Sequence, residues 1–349
     1  MLARRLASRA LTAAATALPT LAPITPPTTP TTTPPHRRSS STMVEPKHPH
    51  DAFLTAQLAS LPALPATERL SPSVIRILGH NPGKFTLQGT NTYLLGTGPT
   101  RILLDTAAGS PLWHSTLLTV LADEAATVPT CLITHHHGDH TGGIPALLSS
   151  SPDTEVYKHT PAPTHLPIAD GQVFSVPGAT LTAVHTPGHT ADHMCFHLAE
   201  ENAVFTGDTV LGHGTTVFED LGAYVGSLQR LIGLGAKRAY PAHGAVIEDL
   251  GGRVAAYLKH REGREAQVLN VLKKRQERSK LAGLWGGSEG VTAGEVVAEV
   301  YRGLEGDLVK AAERGVVQVL EKVKGEGGVR CEEDGEVKRW FVIEKPPRL

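Results

Sequence analysis

Thr134-His135-His136-His137-Gly138-Asp139-His140 sets four histidines and one carboxylate within six residues, directly after the apolar run Cys131-Leu132-Ile133. Imidazole and carboxylate are the side chains that hold borderline divalent metals such as zinc. An apolar run that ends in such a cluster reads as a buried strand whose carboxyl end delivers ligands into a cleft.

Working outward, three later turns repeat this arrangement. His185-Thr186-Pro187-Gly188-His189 follows an expected strand at 180–184, Gly207-Asp208 follows one at 203–206, and Pro241-Ala242-His243-Gly244 follows one at 238–240. Period-two patterns and turn residues place further strands at 74–78, 91–95, 101–104, 128–134, 155–158, 173–176 and 193–198. Helices are expected at 51–61, 112–126, from 144, and at 221–234. Strands in runs with interspersed helices describe an α/β layered domain. A helix from 252 toward 278 and a Gly-rich break at 283–290 come next. Helices at 292–301 and from 307 to about 324 follow, each with an N-cap residue ahead of its apolar positions. A hairpin with arms at 329–332 and 337–343 closes the chain. Three helices and a hairpin resemble a winged-helix domain, a module that binds nucleic acid or a partner, or pads a cleft.

Composition sets limits on this organisation. A chain of 349 residues suits a large domain plus a smaller one, and 40% hydrophobic content is enough for a sizeable core. The net charge of −1 is unevenly spread. Residues 1–42 hold five arginines and no acid; residues 43–258 hold 10 Lys/Arg against 18 Asp/Glu; residues 259–349 hold 18 against 16. An acidic middle is unfavourable for generic attraction to polyanions. Cys131, Cys195 and Cys331 are few and far apart, which argues against a disulfide scaffold and reads as three small buried residues. No apolar run is long enough to span a membrane. Residues 1–18 have the acid-free, Arg-bearing composition of a mitochondrial transit peptide, and residues 20–35 alternate Thr and Pro. The plainer readings are an unstructured leader, or a true start at Met43. The expected organisation is therefore a leader at 1–42, a catalytic domain at 43–258 and a winged-helix-like domain at 259–349. The expected location is the mitochondrial matrix or the cytoplasm.

The H-x-H-x-D-H signature, the T-P-G-H and T-G-D turns and the late P-x-H-G occur in order, and together they resemble the metallo-β-lactamase superfamily. The resemblance implies a four-layer αββα sandwich with two zinc ions at one edge. Carried over by position, His135, His137 and His189 hold the first ion; Asp139, His140 and His243 hold the second; Asp208 bridges them. It also implies a metal-bridging hydroxide as nucleophile, with Asp139 holding the water and moving its proton. His136 and His185 are expected to point away from the metals. Asp105 stands where the family keeps a ligand-orienting aspartate, although Thr106-Ala107 follows it instead of the usual Thr-Gly. His193 and Asn91 are expected to support or line the site, and His213 to reach the cleft.

Two branches of the superfamily fit best. Residues 81–93 and 214–221 resemble both the fungal acyl carrier protein thioesterases and an animal group of mitochondrial endoribonucleases. Residues 111–113, 192–196 and 240–250 are closer to the fungal group. An RNA-cleaving enzyme needs a basic track and aromatic platforms, whereas the catalytic segment is acidic and aromatics are 5% of the chain. Lys310, Arg314, Lys322 and Lys324 are interleaved with Glu313 and Glu321, the pattern of a solvated charged face. The leading expectation is hydrolysis of an acyl thioester, with acyl carrier protein as partner, no membrane, and a homodimer left open. The alternative is an endoribonuclease acting on single-stranded RNA, toward which the Arg-rich leader pulls. A non-catalytic binding protein on this fold would have lost a ligand, but all seven positions are filled.

Overall fold

Alternate residues of each central strand face opposite ways, and here both faces are apolar, so each sheet has to be covered on both sides. The computed structural model describes residues 60–281, 290–304, 306–335 and 337–343. Its first sheet runs in sequence order through β1 (Thr67–Ser71), β2 (Val74–Leu78), β3 (Asn91–Leu95), β4 (Thr100–Leu104), β5 (Thr127–Leu132), β6 (Glu155–Lys158) and β7 (Leu166–Pro167). Pairing is antiparallel up to β4 and parallel from there to β7. The second sheet contains β8 (Val173–Val176), β9 (Ala179–His185), β10 (Met194–Leu198), β11 (Ala203–Gly207) and β12 (Arg238–Pro241), in the order β12-β11-β10-β9-β8.

Packing follows the alternation. Tyr93, Leu95, Ile102 and Leu104 meet Leu181, Ala183, Phe196 and Phe205 between the sheets. Their neighbours Leu94 and Leu103 turn the other way, onto Trp113 and Leu117 of helix α1 (Pro111–Asp123). Val184, Cys195, Val204 and Ala239 point outward from the second sheet, onto α4 (Leu221–Gly233) and α5 (Leu250–Leu281). The short helices α2 (Gly138–Thr141) and α3 (Ile144–Ser150) follow β5. The layers are therefore helix, sheet, sheet, helix, as expected.

The tail forms α6 (Ala293–Val300), α7 (Asp307–Gly325) and the hairpin β13 (Val329–Asp334) with β14 (Val337–Val342). Its apolar side chains, including Val296, Leu320 and Trp340, belong to the same core cluster as Val184 and Val204 of the second sheet. The boundary expected at 258/259 falls inside α5, whose Val254 and Tyr257 join that cluster from one side and Val268 and Leu272 from the other.

Several expectations need correction. The strand placed at 128–134 stops at Leu132, because the Thr134 amide donates to the Asp105 carboxylate and not to a neighbouring strand. The helix placed at 112–126 ends at Asp123, and Ala125 adopts a left-handed backbone. Strands β1 and β7 were not anticipated: β1 is largely exposed and β7 is two residues long, so neither carries an alternation. Thr292 caps α6 in a reciprocal box with Glu295, whereas Gly306 stands at the N-cap of α7 with no side-chain hydrogen bond. Cys131 and Cys195 are buried, but Cys331 on the two-stranded hairpin is half-buried. The leader at 1–42, the helix at 51–61 except its end from Ser60, and the break at 283–290 except Gly290 lie outside the described residues.

The shared core has a measurable consequence. Trp340 is 1% exposed. Trp340→Ala should lower unfolding free energy by about 3–5 kcal/mol, read from chemical denaturation followed through both the tail and the sheets. A loss confined to signals from the tail would contradict a common core.

Candidate metal centre

Asp105 and the seven candidate ligands stand in turns that follow a strand's carboxyl end. Asp105 follows β4 and has a left-handed backbone with φ of 60°. Its buried carboxylate accepts hydrogen bonds from the Thr134 amide at 2.8 Å, the Thr134 hydroxyl at 2.9 Å and His140 Nδ1 at 2.8 Å. With the Nδ1 proton committed to Asp105, His140 Nε2 is the atom presented to the site. The His140 carbonyl also accepts from the Thr106 amide at 2.9 Å and hydroxyl at 2.8 Å. The loop from β5 is thus held at both its side chain and its backbone.

Two donor sets result. In the first, His135 Nε2 lies 2.9 Å from His137 Nδ1, and His189 Nε2 lies 3.2 and 3.1 Å from those two atoms. In the second, Asp139 Oδ2 lies 3.4 Å from His140 Nε2 and 3.3 Å from His243 Nε2. Asp208 stands between them: its Oδ2 is 3.5 Å from His189 Nε2, and its Oδ1 is 3.2 Å from His243 Nε2 and 3.6 Å from His140 Nε2. All seven candidate ligands named from the sequence are brought together here, in two adjoining groups.

The residues fit a pair of metal ions. A tetrahedral ion with bonds of about 2.0–2.1 Å places neighbouring ligand atoms about 3.3 Å apart, close to the spacing in both sets. His140 Nε2 and Asp208 Oδ1 are buried without a hydrogen-bond partner, although they point into a crowd of polar atoms. Convergent, unpaired atoms of this kind suit a cation between them. Electrostatics agree. Burial, and then the neighbouring imidazoles, push His135 and His137 below the usual histidine range and keep them in the neutral, ligating form. Burial would also lower His243, but the Asp208 and Asp139 carboxylates raise it to about 9. Burial likewise opposes ionisation of Asp139, yet His140 and His243 hold it well below the usual carboxylate range.

The supporting residues act through other atoms. The Asp208 amide donates to His193 Nε2 at 3.0 Å, and His193 Nδ1 lies 2.9 Å from the Thr186 hydroxyl, so the ring carries its proton on Nδ1. Gly207 has φ of 48°, and a Cβ there would meet His193 Nε2 at 2.5 Å, so this turn requires glycine. Asn91 Nδ2 donates to the Pro241 and Gly244 carbonyls at 2.9 Å each, clamping the turn that carries His243. His136 turns outward to Asp192 at 3.0 Å, and His185 stacks on His159 with centroids 4.2 Å apart. Neither joins either set, in line with the sequence reading. His189 Nδ1 donates to the Val217 carbonyl at 2.8 Å. A backbone carbonyl acceptor has no sequence signature, and this contact was not foreseen.

Above the two sets lies a cavity of about 350 Å³. His137, Asp139, His189, Asp208 and His243 form its polar part; Phe85, Leu87, Leu211 and Val217 supply apolar walls, and His213 lines it too.

Residues 85–243 match the model described as "Metallo-beta-lactamase superfamily", and residues 292–340 match "Beta-lactamase associated winged helix domain". An atrochrysone carboxyl ACP thioesterase from Cryptosporiopsis sp. (strain 8999) is 47% identical over 297 residues, 83% of this chain and 92% of its own. A protein of the same description from Aspergillus chevalieri is 48% identical over 296 residues, 84% of this chain and 94% of its own. Among solved structures, a metallo-beta-lactamase family protein from Thermus thermophilus aligns with a TM-score of 0.60 and 25% identity, covering 79% of this chain and all of its own. A beta-lactamase domain protein from Burkholderia ambifaria aligns with a TM-score of 0.66 and 18% identity, over 80% of this chain and 95% of its own.

Two outcomes follow from the geometry. Asp105→Asn leaves His140 without its charged orienting partner and should weaken zinc binding about 10- to 100-fold, measured by competition with a chromophoric chelator. The second concerns pH. His243 is raised from 6.5 to about 9 in the folded chain, so its contribution to stability is complete below about pH 6.5 and lost as pH rises through about 9. With chelator present, the thermal midpoint should therefore fall across that interval, and added zinc should flatten the profile by replacing the proton. The lowered histidines act below pH 6.5, outside that window. A flat profile in chelator would contradict the assignment.

Proposed function

The chain belongs to the metallo-β-lactamase superfamily and is a hydrolytic enzyme; from that premise we propose that it cleaves an acyl thioester carried on acyl carrier protein, releasing a polyketide acid in secondary metabolism. The observation that carries this reading is the identity of 47% across 92% of a relative named for that reaction. The apolar walls built by Phe85, Leu87, Leu211 and Val217 support it, because they suit a large, weakly polar acyl group.

His135, His137 and His189 would hold one zinc ion, Asp139, His140 and His243 a second, with Asp208 between them. Two such ions supply a water acidified to near-neutral pKa and a Lewis acid for the attacked carbonyl. The protein's own groups do the rest. Asp139 is ionised at neutral pH and is 26% exposed at the side chain, so it can accept a hydrogen bond from the attacking water. It would take the proton as the water oxygen bonds to the carbonyl carbon and return it to the sulfur as the carbon–sulfur bond breaks, so that the acid and the free carrier thiol are the products. Asp105 and His193 fix the donors so that little rearrangement is needed during the reaction. The acidic balance of 43–258 counts against an extended RNA track.

A parallel assay tests the reading. Purified protein is offered a naphthoyl thioester of N-acetylcysteamine and a single-stranded RNA, with Asp139→Ala alongside and metal content measured for both. Thioester turnover should be at least about 100-fold lower in the variant. RNA cleavage that disappears in the variant, with no thioester turnover in either protein, would overturn the proposal.

A further inference from the structure

A second cavity, of about 1320 Å³, opens beside the first. The two share Thr216 and Val217 as lining residues, so a groove floored by the tail borders the reaction cavity at this wall. The shared wall is held on both sides. Val217 carries the carbonyl that His189 Nδ1 bonds, and the Thr216 carbonyl accepts from Arg261 Nη2 at 3.0 Å. Arg261 reaches this point from α5 with its guanidinium 4.7 Å from the Phe218 ring, and its Nε is buried without a hydrogen-bond partner.

The far side of the groove is α7, which contributes Lys310 and Arg314. The charged face of this helix divides in two. Lys322 pairs with Glu265 and Glu326, and Lys324 pairs with Glu321. Lys310 and Arg314 have no ion pair or hydrogen bond among the described residues. Of the groove's other cations, Arg261 is committed to the Thr216 carbonyl, and Lys338 is already paired with Glu321 and Glu333. Glu219 and Glu313 also line it, leaving four basic residues against two acidic ones. Unpaired surface cations are common by themselves. These two stand in a groove that adjoins the reaction cavity at Thr216 and Val217.

We propose that this groove seats the phosphopantetheine arm of a carrier-bound thioester, with the amide-bearing chain along Thr216 and Val217 and the phosphodiester at Lys310 and Arg314. The assignment rests on the thioesterase reading. An arm carrying its thioester into the 350 Å³ cavity needs a channel beside it, and its single phosphodiester is an anion matched by charge-assisted hydrogen bonds from lysine and arginine.

The test compares one naphthoyl group on three carriers: acyl carrier protein, coenzyme A and N-acetylcysteamine. The double variant Lys310→Glu/Arg314→Glu should raise KM about tenfold or more for the first two, with kcat unchanged. The third, which has no phosphate, should be hydrolysed as by the unaltered enzyme. That last result also reports an intact fold, and Lys310→Gln/Arg314→Gln should reproduce the split more weakly. An unchanged KM for the carrier-protein thioester would overturn the assignment, as would an equal loss on all three carriers by both variants. A rise limited to the carrier-protein thioester would place these cations on the protein surface of the carrier and overturn the arm assignment. RNA cleavage abolished by the charge reversal would overturn it in favour of a nucleic-acid groove. If the unaltered enzyme hydrolyses none of the three thioesters, the thioesterase reading itself fails.

Discussion

The buried carboxylate of Asp105 constrains the whole site. A carboxyl group this deep is tolerated only when its oxygens are hydrogen-bonded, and here they accept from the Thr134 amide, the Thr134 hydroxyl and the His140 ring. Those bonds end β5, turn the chain into the histidine-rich loop and present His140 Nε2. They also require left-handed backbone at Asp105 and again at Ala107. Such conformations cost about 1–2 kcal/mol per residue. Where related chains usually place glycine, this one keeps an alanine at φ of 52°, packed with no exposure in the core under α1. Packing holds this turn without glycine's conformational freedom.

The second half of the site is assembled on a different sheet, and the two halves meet only because the sheets pack face to face. His189, Asp208 and His243 come from turns after β9, β11 and β12. The aromatic cluster of Tyr93, Phe205 and Tyr240 ties the sheets together beneath them, and the Tyr93 hydroxyl donates to the Pro241 carbonyl at 2.7 Å. Asn91 on β3 clamps the same turn of the opposite sheet. The spacing of the two donor sets is therefore set by the interior of the sandwich and not by the loops alone.

The layered fold and the convergence of the seven candidate ligands were legible because strand ends, residue type and order along the chain all pointed the same way. Contacts made to carbonyl oxygens were hidden: Val217 and Pro241 act through atoms that every residue has. Short or exposed strands were hidden too, since β1 and β7 lack an alternation to read. The tail's charges were half legible. Lys324 pairs with Glu321 on an exposed face as the spacing suggested, whereas Lys322 is largely covered and pairs across to Glu265 of α5, and Lys310 and Arg314 acquire their setting from the loop at 216–219 opposite them, which no local pattern encodes.

The continuous core of the outer helical layer bears on the order in which the molecule can be completed. The layer over the first sheet closes with residues up to Val156, all of which are made in the first half of the chain. The layer over the second sheet draws on Val184 and Val204 but also on Leu320 and Trp340. During synthesis, α4 and the first turns of α5 emerge soon after the strands and can begin to cover that face, but the layer gains Leu320 and Trp340 only later. At about 5–20 residues per second, the tail's share of the cover arrives several seconds after Val204. The two outer layers are therefore completed one after the other, the one behind the turns of His189, Asp208 and His243 second.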